Sequence, residues 1–106
     1  MKLSIRVVLS VLLLATAIPR DAVADAARRG LVFVKTNCSQ CHAIGKLDES
    51  PLPDAPPLRS LHEFYEVEDL EESLAEGIVT GHPSMPLFQL DAAQISDVIA
   101  YLETLE

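Results

Sequence analysis

The residues with the clearest chemistry are Cys38-Ser39-Gln40-Cys41-His42, a C-x-x-C-H run. Two thiols at this spacing can add across the two vinyl groups of a haem, and the next imidazole then lies under the iron as a ligand. The run therefore predicts covalent attachment of one haem c. The alternatives are a structural disulfide, a redox dithiol or half of a zinc site. The sequence lacks the second cysteine pair that zinc needs and the βαβ pattern typical of a redox dithiol.

The first 24 residues have the pattern of a secretory signal. Lys2 and Arg6 precede an apolar run over residues 7–18, and Ala22-Val23-Ala24 fits a cleavage site. A membrane-spanning helix needs roughly 20 apolar residues, so the run is too short to span. We therefore predict a signal peptide over residues 1–24, a mature domain over residues 25–106 and no membrane insertion after cleavage. An uncleaved N-terminal anchor is the alternative.

The mature chain is small for an independent fold. A chain of about 80 residues buries only some 60–65% of its unfolded surface and is marginally stable. A buried porphyrin would add the apolar core that such a chain lacks. The apoprotein is therefore expected to fold poorly.

Three stretches together resemble the class I cytochrome c family over the whole mature chain. They are C-x-x-C-H near the start, Met85-Pro86 in a loop before the last helix, and Asp97-Val98-Ile99-Ala100-Tyr101-Leu102 near the end. The resemblance implies an all-α fold wrapped around one covalently bound haem c. It also implies a periplasmic carrier of single electrons, because this type of haem is attached outside the bacterial cytoplasm.

The same resemblance assigns the iron ligands. Cys38 and Cys41 would anchor the haem, and His42 and Met85 would be the axial ligands. A thioether is soft and neutral, so it favours Fe(II). A core methionine that fills a gap is the alternative for Met85, His82 is the rival ligand, and His62 is better interpreted as a surface histidine.

A proline-rich loop follows the motif. Pro51, Pro53, Pro56 and Pro57 exclude a helix over residues 46–57. By the resemblance, the Pro56 carbonyl accepts the Nδ1 proton of His42, which makes Nε2 a better iron donor. An ordinary proline-rich linker is the alternative.

Two further residues are candidate donors to the haem propionates. Arg59 and Tyr65 carry suitable hydrogen-bond donors. A solvated arginine and a half-buried tyrosine fit the sequence equally well.

The patterns predict four helical segments. They are a first helix over residues 25–37, a short turn within residues 58–65, a long helix over residues 66–76 that ends at Gly77, and a last helix capped by Asp91 and Gln94. By the resemblance, the first and last helices cross where Gly30 and Val34 meet Val98 and Tyr101.

The charge is strongly asymmetric. Residues 60–106 contain eleven Asp and Glu and no Lys or Arg, and the whole chain has a net charge of −8. This predicts redox partners with a basic docking surface, although a solvated acidic face that serves only solubility is the alternative. We find no basic nucleic-acid patch, phosphate loop or hydrolytic triad, and we expect a monomer.

With both axial positions filled, the iron has no open site, so the resemblance implies an electron carrier and not an enzyme. Two alternatives are a dedicated haem subunit of a periplasmic dehydrogenase or reductase and a gas-binding or sensing haem protein. The sensor would need an iron whose sixth coordination position is vacant or easily vacated.

Overall fold

The computed structural model describes residues 19–78 and 84–106, and this part of the chain is helical without a strand. Its elements are α1 (Arg20–Asn37), two 3₁₀ helices (Leu58–Glu63 and Val67–Asp69), α2 (Leu70–Glu76) and α3 (Ala92–Glu103). The all-α prediction and the predicted turn within residues 58–65 are therefore confirmed.

Helix α1 begins five residues before the predicted start. It starts at Arg20, after Pro19, and runs without a break through the alanine-rich stretch around residue 24. Alanine has the highest helix propensity, so the backbone there has no reason to leave the helix. The predicted start at residue 25 was wrong. It was placed at the predicted cleavage site, and a cleavage site need not coincide with the end of a helix.

The second predicted helix is interrupted at its start. Residues Val67–Asp69 form a 3₁₀ turn with Val67 buried, and the α-helix itself covers only Leu70–Glu76. The prediction of one continuous helix over residues 66–76 was therefore wrong in its first turn. Its end was predicted correctly, because Gly77 has φ +104° and its N–H donates to the Ser73 carbonyl at 2.9 Å.

The predicted start of α3 is confirmed. The Asp91 carboxylate accepts the Gln94 N–H at 2.8 Å, and the Gln94 side-chain oxygen accepts the Asp91 N–H at 3.1 Å. This capping box satisfies two backbone donors that a helix start leaves free. The helix buries one side, formed by Ile95, Val98, Ile99, Tyr101 and Leu102.

The crossing of α1 and α3 is the main helix–helix interface of the fold. A Cβ atom placed on Gly30 would lie 1.9 Å from the Asp97 carbonyl oxygen and 2.8 Å from the Tyr101 Cβ. Beside it, Arg29 donates two hydrogen bonds of 3.0 Å to the two carboxylate oxygens of Asp97. The predicted contact of Gly30 with Tyr101 is present, but the closest atoms belong to Asp97.

This close approach leads to a first prediction. We expect Gly30→Ala to lower the free energy of unfolding by about 2 kcal/mol or more, even though alanine gains about 1 kcal/mol in helix propensity. A backbone carbonyl cannot rotate away as a side chain can, so the helices must separate. Chemical denaturation of the holoprotein measures the loss. Val32→Ala, at an exposed position of α1, is the control, and equal stability of the two variants would contradict the prediction.

Carboxylates from several elements surround the end of α3. The side chain of Glu103 shares a hydrogen bond with Glu68, which, together with desolvation and the nearby charges of Glu68, Glu106 and Glu71, raises the pKa of Glu103. A carboxyl with a raised pKa in the folded state binds more protons there than in the unfolded chain. The free energy of unfolding should therefore fall as pH rises from the ordinary glutamate range through the raised pKa of Glu103.

The second prediction follows from this sign. We expect Glu103→Gln to raise the melting temperature at neutral pH, with the gain shrinking as pH falls toward the ordinary glutamate pKa, because only the charged form is unfavourable. Thermal melts across pH measure it. Glu72→Gln, an exposed change on α2 outside the groups acting on Glu103, is the control. An equal gain for both at every pH would show a general charge effect.

Within the described ranges, no helix combines the length and the apolar character needed to cross a bilayer.

Candidate functional site

A cavity of about 500 Å³ lies between the helices. Its walls are mostly apolar and include Val34 of α1, Leu70 and Leu74 of α2, and Val98 and Leu102 of α3. A volume of this size is typical of a pocket for a small molecule or cofactor. These same side chains belong to the hydrophobic core or pack against it, so whatever fills the cavity also completes the core.

The C-x-x-C-H residues form part of the cavity wall. Helix α1 ends immediately before them: the Cys38 N–H donates to the Val34 carbonyl at 2.8 Å, and the His42 N–H donates to the Cys38 carbonyl at 2.9 Å. Cys38, Cys41 and His42 all line the cavity, and both thiols are free, so a disulfide between them is not formed. Desolvation raises the pKa of the Cys38 thiol.

The zinc alternative also finds no support in the described residues. Among them, no cluster of three or more His, Cys, Asp or Glu side chains is arranged to hold a metal ion. The apolar walls of the cavity instead favour a large, mainly apolar group.

The contact expected between His42 and the proline-rich loop is present. His42 Nδ1 lies 2.7 Å from the Pro56 carbonyl oxygen. A carbonyl only accepts, so Nδ1 carries the proton and Nε2 keeps its lone pair for a metal. Backbone hydrogen bonds from Leu58 to Ala43 at 2.9 Å and from Leu52 to Cys41 at 3.1 Å hold the loop against the motif.

Met85 reaches the same cavity. It is half-buried and lines the wall together with Ser84 and Pro86. Of its two rivals as the iron ligand, His62 is exposed and does not line the cavity, and His82 lies outside the described residues. His42 and Met85 therefore line the same cavity, and ligation of an iron by the two stays a prediction.

The two candidate propionate donors differ in position. Tyr65 lines the cavity with 41% of its surface exposed, and desolvation raises the pKa of its hydroxyl. Arg59 is absent from the cavity wall; its Nη1 donates to the Asp48 carbonyl at 2.6 Å and to the Gly45 carbonyl at 3.3 Å. Contact of either residue with a propionate stays a prediction.

Sequence reasoning missed two polar groups that organise the chain after His42. The Tyr101 hydroxyl donates to the Ile44 carbonyl, which ties this chain to α3. The Asp48 carboxylate accepts the N–H groups of Ile44 at 3.1 Å and Gly45 at 2.8 Å. No local sequence signal identifies either contact, since one spans 57 residues and the other depends on the path of the loop.

The Asp48 carboxylate is stabilised in its charged form. Desolvation acts to raise its pKa, but hydrogen bonds from the backbone N–H groups of Asp48, Ile44 and Gly45, together with the charge of Arg59, outweigh it. The pKa of Asp48 is consequently lowered. Asp48 thus remains an acceptor-only group through the neutral pH range.

The decisive comparison is with protein families. The family model described as Cytochrome c matches residues 27–106. The chain belongs to the cytochrome c family. Cytochromes c carry a covalently attached haem c with its iron and use it to exchange electrons with redox partners. No curated protein and no solved structure gives a significant match.

The cavity of this cytochrome fits that cofactor. It offers two free thiols for covalent attachment, an imidazole whose Nε2 is available, a thioether and an apolar enclosure. When bound, haem c supplies an iron that gains and loses a single electron. The apolar side chains of the wall exclude water and limit the reorganisation of charge around that iron.

Proposed function

We propose that this cytochrome is a periplasmic carrier of single electrons, with its haem anchored by Cys38 and Cys41 and its iron ligated by His42 and Met85. One observation carries the proposal: all four side chains line the same apolar cavity. The thiols would become thioethers, which keep the cofactor in place in both redox states.

Each axial residue has a distinct role. His42 donates its Nδ1 proton to the Pro56 carbonyl, so its ring is held in one orientation and Nε2 becomes a stronger donor to iron. Met85 supplies a neutral sulfur that favours Fe(II) and so raises the reduction potential. Tyr65 is the proposed donor to a haem propionate, since it lines the cavity and remains partly exposed.

The proposed location rests on the N-terminal sequence. We infer that residues 1–24 are a signal peptide and that residues 25–106 form the mature cytochrome. The family match begins at residue 27, inside the proposed mature chain, which supports this division. Mass spectrometry of the protein purified from a periplasmic extract tests it, and a retained N-terminus would contradict it.

We further propose that the protein has no enzymatic activity of its own, because His42 and Met85 would both ligate the iron and leave it no open site for a substrate. Ferric and ferrous absorption spectra test the ligation. A weak near-infrared band of the ferric protein is expected from a Met–Fe(III) bond. A high-spin spectrum without that band would instead favour the gas-binding alternative.

The proposed partner has a basic docking surface. Seven acidic residues lie within residues 63–76, in the segment that ends with α2. The chain has no Lys or Arg after Arg59. Three of the five basic residues of the proposed mature chain are already paired with acids: Arg28, Arg29 and Arg59. The field outside the protein is therefore dominated by the acidic half.

A third prediction tests this docking. We expect electron transfer to a basic redox protein to slow as salt increases, because salt screens attraction beyond roughly 10 Å at 0.1 M. Electron transfer to an acidic redox protein should be slow at low salt and should become faster as salt increases, because salt screens the repulsion. Stopped-flow rates across ionic strength measure both, and replacement of Glu68, Glu71 and Glu72 by Gln should flatten the first dependence. If the rates with both partners do not depend on salt, the acidic half serves only the solubility of the protein.

Size-exclusion chromatography separates the carrier from the subunit alternative. A free carrier elutes as a monomer. A stable complex with a dehydrogenase or reductase would identify a dedicated electron-transfer subunit.

A further inference from the structure

Two stretches of chain carry the His42 imidazole and its acceptor. His42 begins the first stretch, which continues through Ala43 to Asp48, and Pro56 belongs to the second, which continues to Arg59. The length of the bond between Nδ1 and the Pro56 carbonyl depends on how these stretches lie against each other. Only one backbone hydrogen bond, from Leu58 to Ala43 at 2.9 Å, joins them directly beside the imidazole.

Arg59 provides the second connection. Its Nη1 donates to the Asp48 carbonyl at 2.6 Å and to the Gly45 carbonyl at 3.3 Å, and lies 3.8 Å from a carboxylate oxygen of Asp48. Only 30% of the Arg59 side chain is exposed. Charge-assisted hydrogen bonds that are partly shielded from water are stronger than neutral ones, so this guanidinium fixes the first stretch to the second.

The acceptors themselves are held rigid. The Asp48 carboxylate binds the N–H groups of Ile44 and Gly45, and the Tyr101 hydroxyl binds the Ile44 carbonyl. Ala43 is fully buried, and its N–H donates to the Ser50 hydroxyl at 2.9 Å. A displacement of the turn at Gly45 and Asp48 is therefore expected to move the backbone of His42 with it, because the residues between them are held by these hydrogen bonds.

We propose that Arg59 is a positioning residue for His42: by clamping the turn at Gly45 and Asp48 to the Pro56 segment, it sets the hydrogen bond between His42 and Pro56. This inference rests on the proposed ligation of iron by His42. A strong hydrogen bond at Nδ1 makes the imidazole a better donor and so favours Fe(III). Arg59 therefore lowers the reduction potential through the ring it orients, without touching the haem.

The competing role for Arg59, a hydrogen bond to a haem propionate, has the opposite sign. A cation beside the propionates disfavours Fe(III), so its removal would lower the reduction potential. Removal of the clamp should raise it. The two roles are thus separated by the direction of one measured change.

The experiment compares Arg59→Leu with Arg28→Leu in the holoprotein. Arg28 forms an exposed pair with Asp25 at 3.4 Å, so its replacement removes the same charge without touching the loop. We expect the potential of Arg59→Leu to lie above that of Arg28→Leu. We also expect the Nδ1 proton of the ligated histidine, followed by paramagnetic NMR, to exchange with solvent about tenfold faster or more in Arg59→Leu.

Arg59→Lys keeps the charge and guards against a misfolded leucine variant. The lysine side chain is one bond shorter than arginine, so its ammonium does not reach the position from which Nη1 donates to both carbonyls, and the exchange rate of the Nδ1 proton should also exceed that of the wild type. A potential below that of Arg28→Leu, or unchanged proton exchange in both Arg59 variants, would overturn the clamp. Absence of hyperfine-shifted, non-exchangeable histidine ring signals in the wild-type protein would instead overturn the ligation by His42.

Discussion

Replacing both Cys38 and Cys41 with alanine is expected to leave a chain without a stable native fold. The cavity of about 500 Å³ is lined by core side chains of α1, α2 and α3. At about 24 cal/mol per Å³ of cavity, an empty space of this size corresponds to an upper limit of ~12 kcal/mol, which is comparable to the whole stability of a small domain. The chain would collapse into the space and lose its fixed packing.

The measurement is near-UV circular dichroism and denaturant unfolding of the purified double variant. Gln40→Ala is the matched control, since Gln40 lies between the two thiols, is exposed and also lines the cavity. The control should load haem and unfold cooperatively. Native-like cooperative unfolding of the double variant without haem would show that the protein has a sufficient core of its own.

Met85→Ala should open the iron to external ligands and lower the reduction potential. An intramolecular thioether competes with cyanide or carbon monoxide at a high effective concentration, so its loss should raise their apparent affinity by about a hundredfold or more. The potential should fall because a soft, neutral donor that favours Fe(II) has been removed. Ligand titrations and redox titrations measure the two effects.

His82→Ala is the matched control for Met85→Ala, because it removes the rival ligand three residues earlier in the sequence. It should leave the near-infrared band and the potential of the wild type unchanged. If it opens the iron to ligands while Met85→Ala does not, His82 takes the place of Met85 as the proposed ligand.

The parts of the fold that the sequence predicts well are those set by local chemistry. Asp91 and Gln94 cap α3 through contacts three residues apart, and Gly77 ends α2 because other residues avoid its positive φ. The interrupted start of the second helix was not predictable in this way, because Val67 is buried against a core that forms from distant parts of the chain.

In the candidate site, too, the residues predicted from the sequence are those whose role depends on local spacing. The C-x-x-C-H run identifies Cys38, Cys41 and His42, because their chemistry depends on spacing alone. The contacts of Arg59 were not predictable: its charge suits a propionate, and whether it reaches one stays a prediction, but its Nη1 donates to the carbonyls of Gly45 and Asp48. Which acceptor an arginine finds depends on the path of the intervening loop, and no periodicity in the sequence records that path.

The crossing of α1 and α3 also determines when the protein can fold. Arg29 and Asp97, which pair at this crossing, are 68 residues apart, so this contact is strongly non-local and closes a loop that contains most of the chain. Helix α1 makes most of its helix–helix contacts with α3, so its main packing partner is absent until α3 (Ala92–Glu103) has been synthesised. A chain in which α3 has not yet formed is therefore expected to stay open around Cys38 and Cys41, where a haem would have to enter.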